Sequence, residues 1–178
     1  GVRRDAKGNP IEFDLITNPG VTIRQVVGEL FQEDMAELGI QVNFQQIDFN
    51  VVVERLTSTF EWDGIIIGLT GTFDPNGGSN VWLSTGNLHM WYPMQETPAT
   101  EWEARIDEVW VEAQRAMDPE VRREWYYEYQ DIVAENAPLF YTVASQMNVA
   151  VRDHLRNASP DLVGGSIGSA WNFIWIDR

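Results

Sequence analysis

The chain has 178 residues, 44% of them hydrophobic, enough for one sizeable domain with a real core or for part of a larger protein. Twelve basic against 27 acidic residues give a formal charge of -15, which sets the chain against phosphate backbones and anionic membrane surfaces and so against nucleic-acid binding. With no cysteine, thiol catalysis, thiolate metal sites and disulfides are all removed, and only two histidines, His89 and His154, are left, far apart in sequence.

No run of residues approaches the length of a membrane-spanning helix. The opening Gly1–Pro10 reads as a polar turn segment rather than a natural start, so the chain is expected to be part of a longer one. Ile11, Phe13 and Leu15 alternate with polar residues, which predicts a strand over 10–17. Asn18-Pro19-Gly20 is a turn. Thr22 is expected to open a helix with Gln25 as its capping-box partner. Ile23, Val26, Val27, Leu30, Phe31, Met35 and Leu38 keep helical spacing, and Gly39 supplies the stop. Ile40, Val42 and Phe44 alternate again as a second strand. Phe49, Val52, Val53 and Leu56 mark a second, shorter helix. The third strand, Gly64–Leu69, carries the unbroken apolar run Ile65 to Ile67, the pattern of a strand buried on both faces. This β-α-β-α-β order predicts a parallel sheet with right-handed crossovers.

A loop over residues 70–100 follows, then two helices. Thr100 with Glu103 forms a capping box, and Trp102, Ile106, Val109, Trp110 and Ala113 make the apolar face behind it. Asp118-Pro119 gives an N-cap followed by Pro at the first helical position. Val121, Trp125, Tyr129, Ile132 and Val133 form the next face, and Pro138 ends it. Leu139–Val143 and Met147–Val151 are expected to be strands. From Asp153 the chain turns Gly/Ser/Asn-rich, and it finishes on an apolar tail with few neighbours to bury it.

Catalysis has little support. Asp131 with Glu135, and Glu101 with Glu103, read as solvated surface charges. The histidines have no motif context, and Gly68–Gly71 and Gly77-Gly78 lack phosphate-loop spacing. Asp74–Gly78 lacks the spaced carboxylates of a calcium loop. No cofactor or metal is implied. A glycan-processing enzyme using Asp74 ranks low, because the loop holds no obvious second carboxylate. Aromatic residues carry more signal. Eight Trp, eight Phe and five Tyr make 12% of the chain. Trp102, Trp110 and Trp125 fit core packing. Phe73, Trp82, Trp91 and Tyr92 lie in the loop, where they either line a ligand or pin the loop to the sheet. In open α/β sheets ligands sit beyond the carboxyl ends of the strands. Thr70, Thr72, Asp74 and Asn80 place polar groups there, and Gly68 and Gly71 let a ligand approach the backbone.

Lys7–Phe13, Leu38–Phe44, Trp62-Asp63, Asp74-Pro75, Ser84–Gly86, Asp118–Arg122, Tyr129–Ile132 and Ala137–Tyr141 together, in order and spacing, carry a resemblance. The chain resembles the C-terminal part of the extracellular solute-binding proteins of ABC importers, in the oligopeptide/dipeptide-binding family. The fold implied is an α/β, periplasmic-binding-protein-like C-terminal lobe with a mainly parallel β-α-β-α-β sheet flanked by helices. Residues 1–144 would be most of that lobe, and residues 145–178 a crossover strand and tail that return to the N-terminal lobe.

The resemblance also implies a function. A solute binds in a cleft between two lobes and is delivered to a membrane permease, with no chemistry done on it. The protein would be periplasmic or extracellular, free or lipid-anchored at full length. Peptide binders of the family hold an extended peptide against the segment after the third strand, here Gly68, Leu69, Thr70, Gly71 and Thr72. The expected ligand-binding set is completed by Phe73, Asp74, Asn80, Trp82 and Trp91. Many members carry an Asp shortly before the Asp-Pro motif that pairs with the peptide's amino terminus. Thr72 stands near that position here, a departure that leaves room for an oligosaccharide instead of a peptide. Without the other lobe, the chain is expected to self-associate through its tail.

Overall fold

The strand read from Ile11, Phe13 and Leu15 forms as β1 (Glu12–Thr17) in the computed structural model, which describes residues 1–69, 74–93, 95–144, 146, 148–158 and 173–177. It pairs in parallel with β2 (Gln41–Gln46) along its whole length, Glu12 opposite Gln41 through Thr17 opposite Gln46. On its other side it pairs with β3 (Gly64–Ile65), so the sheet order is β2-β1-β3. The predicted β-α-β-α-β parallel sheet is therefore present, with α1 (Thr22–Glu37) and α2 (Phe49–Glu54) as the crossovers.

The strand buried on both faces is β1 rather than the third strand. Leu15, Ile16 and Thr17 are all buried, whereas Ile65, Ile66 and Ile67 are half-buried. The reason is position: β3 has a partner on one side only among the described residues. Its ladder stops after Ile65, with one more bond from the Ile66 amide to the Ile16 carbonyl. The predicted strand over Gly64–Leu69 is correspondingly short.

Helix α1 ends on Gly39, as its sequence requires. Gly39 takes φ +77°, its amide bonds Ala36 O, and the Ile40 amide bonds Met35 O, the paired bonds of a Schellman turn. The helix start differs from expectation. Thr22 lies inside the helix, Val21 occupies the N-cap with no side-chain cap, and the Gln25 amide group donates to Glu29. The buried face is also rotated. Ile23, Val26, Leu30 and Leu38 are exposed, and the helix rests on Gly28, where a Cβ would lie 2.3 Å from the Phe44 ring. Glycine lets the helix backbone settle directly on β2, with Val27 and Met35 half-buried and the Phe31 ring 6.3 Å from that of Phe13 on β1.

Asp48 caps α2 by accepting from the Asn50 amide, and the helix runs on into a π-type turn, Arg55–Thr59. Residues 74–100 are more ordered than a plain loop. A 3-10 turn, Pro75–Gly78, leads into the short α3 (Ser79–Trp82). The two long helices follow as expected: α4 (Glu101–Arg115) with its Thr100/Glu103 capping box, and α5 (Pro119–Asn136) capped by Asp118. Ala137 closes α5 in the left-handed region just before Pro138.

The core is an aromatic stack between α4, α5 and α3. Trp110, 1% exposed, sits edge-on to Tyr129 at 4.8 Å and to Tyr126 at 5.6 Å between ring centres. Such burial contributes roughly 1.5–3 kcal/mol per large apolar side chain before conformational entropy is set against it. Ile106, Val109 and Ala113 complete the α4 face as read from sequence. On α5 the buried residues are Tyr126 and Val133, while Val121 is exposed.

The strands expected at Leu139–Val143 and Met147–Val151 do not form among the described residues. Phe140 and Tyr141 are largely exposed. A strand needs a neighbouring edge for its backbone groups, and no ladder involves these stretches. Ser145 and Met147 lie outside the described residues. In the tail, β4 (Leu155–Arg156) pairs antiparallel with β5 (Trp175–Ile176), and Arg156 bonds Asp177 across the pair. Among the described residues, no helix is long and apolar enough to cross a membrane.

Candidate functional site

The carboxyl end of β3 opens into an exposed segment. Gly68 and Leu69 are both solvent-accessible there. Arg24, in the first turn of α1, lies across Gly68. Its guanidinium donates to Asn18 Oδ1, and a Cβ on Gly68 would come within 2.8 Å of Nη2. A side chain at that position would make the end of the Arg24 side chain shift. The predicted ligand residues Thr70, Gly71, Thr72 and Phe73 lie outside the described residues.

Where the description resumes, Asp74 is anchored twice. Its Oδ1 accepts from the Asn76 amide and caps the 3-10 turn. Its Oδ2 lies 2.8 Å from Arg122 Nη1. Arg122 in turn donates from Nε to the Ala113 carbonyl at the end of α4, so one side chain ties the Asp-Pro turn to both long helices. Burial, then the Asp74 carboxylate, pushes the nearby Tyr126 hydroxyl above its usual pKa.

Asn80 is exposed on α3, and its backbone carbonyl accepts from the Leu88 amide. Trp82 and Trp91 are packing residues here. Trp82 is 7% exposed, 5.0 Å from Tyr129 and 5.4 Å from Trp91 between ring centres. The Trp91 indole donates to Glu103 Oε1 at 3.0 Å. Tyr92 stays half out in solvent.

Beneath these aromatics sits a feature that the sequence reading missed. Glu103, read as a solvated surface charge, is 2% exposed. One carboxylate oxygen, Oε2, serves the capping box by accepting from the Thr100 amide and hydroxyl. The other, Oε1, collects His89 Nε2, Trp91 Nε1 and Gln95 Nε2 at 3.0–3.1 Å. Burial alone would raise its pKa; the hydrogen bonds from His89, Thr100, Gln95 and Trp91 outweigh that and hold it at about 2. The signal was the capping box itself, since a box carboxylate keeps one oxygen free for other donors. Its loop partners, all upstream of α4, could not be assigned from local spacing.

A second bond set fastens the start of the same loop. Ser84, 1% exposed, donates its amide and hydroxyl to the two oxygens of Asp107 on α4, at 2.9 and 2.6 Å. Gly86 fits close against the Asn80 carbonyl, where a Cβ would lie 2.3 Å away. Among the described residues no group of three or more His, Asp or Glu is placed to hold a metal ion. The polar network is thus used to pin the loop that follows Asp74, while Gly68 and Leu69 stand on the surface.

No family model matches the chain. Curated proteins are similar in sequence. A probable ABC transporter-binding protein of Deinococcus radiodurans is 34% identical over 102 residues, covering 51% of this chain and 17% of its own length. Oligopeptide-binding protein AppA of Bacillus subtilis is 22% identical over 158 residues, covering 85% of this chain and 27% of its own length. The chain is similar in sequence to substrate-binding proteins of ABC transporters. It spans about a quarter or less of the curated relatives it matches.

Solved structures give the same fold. A putative peptide-binding protein AppA from Clostridium difficile superposes with a TM-score of 0.72 at 18% identity, over 95% of this chain and 34% of that one. The periplasmic binding protein MelB of Agrobacterium fabrum, solved with stachyose, superposes with a TM-score of 0.65 at 16% identity, over 75% of this chain and 20% of that one. The architecture described above is thus the α/β fold of the periplasmic binding proteins.

Proposed function

We propose that this chain forms one wall of the ligand cleft of a solute-binding protein that delivers its cargo to an ABC importer. Residues 1–144 would be most of the C-terminal lobe, and 145–178 would return to the N-terminal lobe. The observation that carries this reading is the exposed exit of β3. Gly68 and Leu69 open at the carboxyl edge of a parallel sheet, and the segment is fixed again at Asp74 by Arg122. An exposed backbone at a strand exit, with a glycine in it, suits pairing with an extended peptide. The ligand-facing residues are then Gly68 to Asp74 and Asn80, with Trp82 and Trp91 supporting them from behind.

The protein acts by binding and closure, without catalysis. It works outside the cytoplasmic membrane, either free in the periplasm or extracellular space or lipid-anchored to the membrane at full length. Its second partner is the importer's permease. An oligosaccharide cargo is the second reading, favoured by the fold shared with a stachyose-bound protein. Trp82 is buried and Trp91 half-buried with its indole bonded to Glu103, which weighs against aromatic stacking on a sugar at those two positions. Taken alone, residues 1–178 should bind cargo weakly and self-associate through the tail, which sedimentation would reveal as species larger than a monomer.

The test uses the full-length protein incubated with a defined peptide pool and a defined oligosaccharide pool, with mass spectrometry of what stays bound. Retained, unaltered peptides are the expected result. Retained sugars alone would move the assignment to the second reading. Conversion of any bound compound would overturn the receptor reading, as would retention of neither class.

A further inference from the structure

Asn76-Gly77 is the one Asn-Gly step in the sequence, and both residues are exposed. Such a pair carries a reaction of its own. The Gly77 backbone nitrogen can attack Cγ of the Asn76 side chain, since glycine has no side chain to shield it. The N–Cγ bond forms and the Cγ–Nδ2 bond breaks. The proton from the attacking nitrogen leaves with Nδ2 as ammonia. Water then opens the cyclic imide at either carbonyl, leaving aspartate or an isoaspartyl link. One water is consumed, one ammonia is released, and nothing is oxidised or reduced.

In this fold both reacting groups are held. The Gly77 amide donates to the Asp74 carbonyl at 3.1 Å. The Asn76 amide donates to Asp74 Oδ1 at 2.9 Å, so Asp74 closes the 3-10 turn with its backbone and its side chain. The other carboxylate oxygen of Asp74 is fixed by Arg122. Asn76 Oδ1 accepts from Gln114 Nε2, on α4, at 2.6 Å. Ring closure needs the Gly77 nitrogen to swing into the plane of the Asn76 Cα–Cβ bond. The ψ of a 3-10 turn holds it well out of that plane.

We propose that Asn76 is a site of spontaneous deamidation gated by the Asp74-capped turn, converting only in molecules whose turn has opened. An aspartate product puts a second carboxylate beside Asp74. An isoaspartyl product adds a carbon to the main chain between residues 76 and 77. That takes the Gly77 amide out of register with the Asp74 carbonyl, so the turn cannot close again. The turn leads into α3, whose Trp82 belongs to the aromatic core, and each conversion loosens that end of the core.

The test ages the full-length protein at mildly alkaline pH beside a synthetic peptide of residues 74–82. Peptide mapping separates asparagine, aspartate and isoaspartate at position 76. The native protein should convert at least about tenfold more slowly than the peptide, matching an open population below about one in ten. In Asp74→Ala the rate should rise about 5–30-fold, toward that of the peptide. Ser84→Ala, which weakens the fold elsewhere, should leave the rate unchanged. Native conversion as fast as the peptide's overturns the gate. So does a rate unmoved in Asp74→Ala, or one raised equally in Ser84→Ala. Should Asp74→Ala fail to fold, hydrogen exchange of the Gly77 amide decides. Its protection in the native protein must match the factor by which deamidation is slowed, and a mismatch overturns the gate.

Discussion

Asp74 and Arg122 stand 48 positions apart and meet at 2.8 Å, joining the turn after the strand-end segment to the first turn of α5. Both side chains are substantially exposed, so the ion pair itself is worth only about 0–1 kcal/mol. Asp74 also caps the 3-10 turn through the Asn76 amide, a bond that asparagine can replace and alanine cannot. Asp74→Ala should therefore destabilise the protein by about 1–2 kcal/mol in urea unfolding, and Asp74→Asn by roughly half as much. Equal losses for the two variants would show that the cap contributes nothing.

Glu103 gives the protein a specific acid limit. Its folded pKa of about 2 lies below the ordinary 4.5, so its contribution is complete above about 4.5 and is lost as pH falls toward 2. Glu103→Gln should flatten that part of the stability–pH curve. Glu103→Ala should cost about 3–5 kcal/mol at neutral pH, because it strands His89, Trp91 and Gln95 together in the interior. Chemical unfolding across that acid range is the measurement. An unchanged acid profile in Glu103→Gln would place the linkage elsewhere.

What was legible in the sequence was local. Gly39, Thr100 with Glu103, and Asp118-Pro119 announce helix ends through bonds between residues a few positions apart, and all three form. What was not legible depends on distant neighbours. Ile65 to Ile67 has the pattern of a central strand, yet sheet order places it at an edge and gives the double burial to Leu15–Thr17. Leu139–Val143 has the right residues for a strand and no edge to pair with. The apolar spacing of α1 pointed to Ile23, Val26 and Leu30, but Gly28 fixed the contact because the Phe44 ring occupies the space over it. At the site, Gly68 and Leu69 fall at the strand exit as the pattern required. The Glu103 network escaped notice because its three loop donors converge only in the folded chain.

Ser84 is a test of the second fastening. Its hydroxyl gives a 2.6 Å bond to Asp107 from a fully buried position. Ser84→Ala leaves one oxygen of a half-buried carboxylate short of a donor, which costs about 1–3 kcal/mol. The backbone amide of residue 84 still bonds the other oxygen, so the loop should stay docked. Thermal unfolding should show the loss, while hydrogen exchange of residues 84–100 at neutral pH changes little. Wholesale exposure of that segment would mean that the hydroxyl, and not the Glu103 network, is the main fastening.

Gly28 tests how α1 is seated on the sheet. A Cβ there would lie 2.3 Å from the Phe44 ring, well inside contact distance. The ring or the helix must shift, and overpacking of this kind costs about 1–3 kcal/mol. Alanine's better helix propensity returns roughly 0.8–1 kcal/mol, so Gly28→Ala should be a net loss of about 1–2 kcal/mol. Trimming the obstacle should reverse part of it: Gly28→Ala in a Phe44→Leu background should destabilise less than in the native background. That non-additivity, read from a double-mutant cycle in urea, is the direct signature of contact between the two positions. Additive losses would mean that the helix is held away from β2 and that the exposed Ile23, Val26 and Leu30 face needs another explanation.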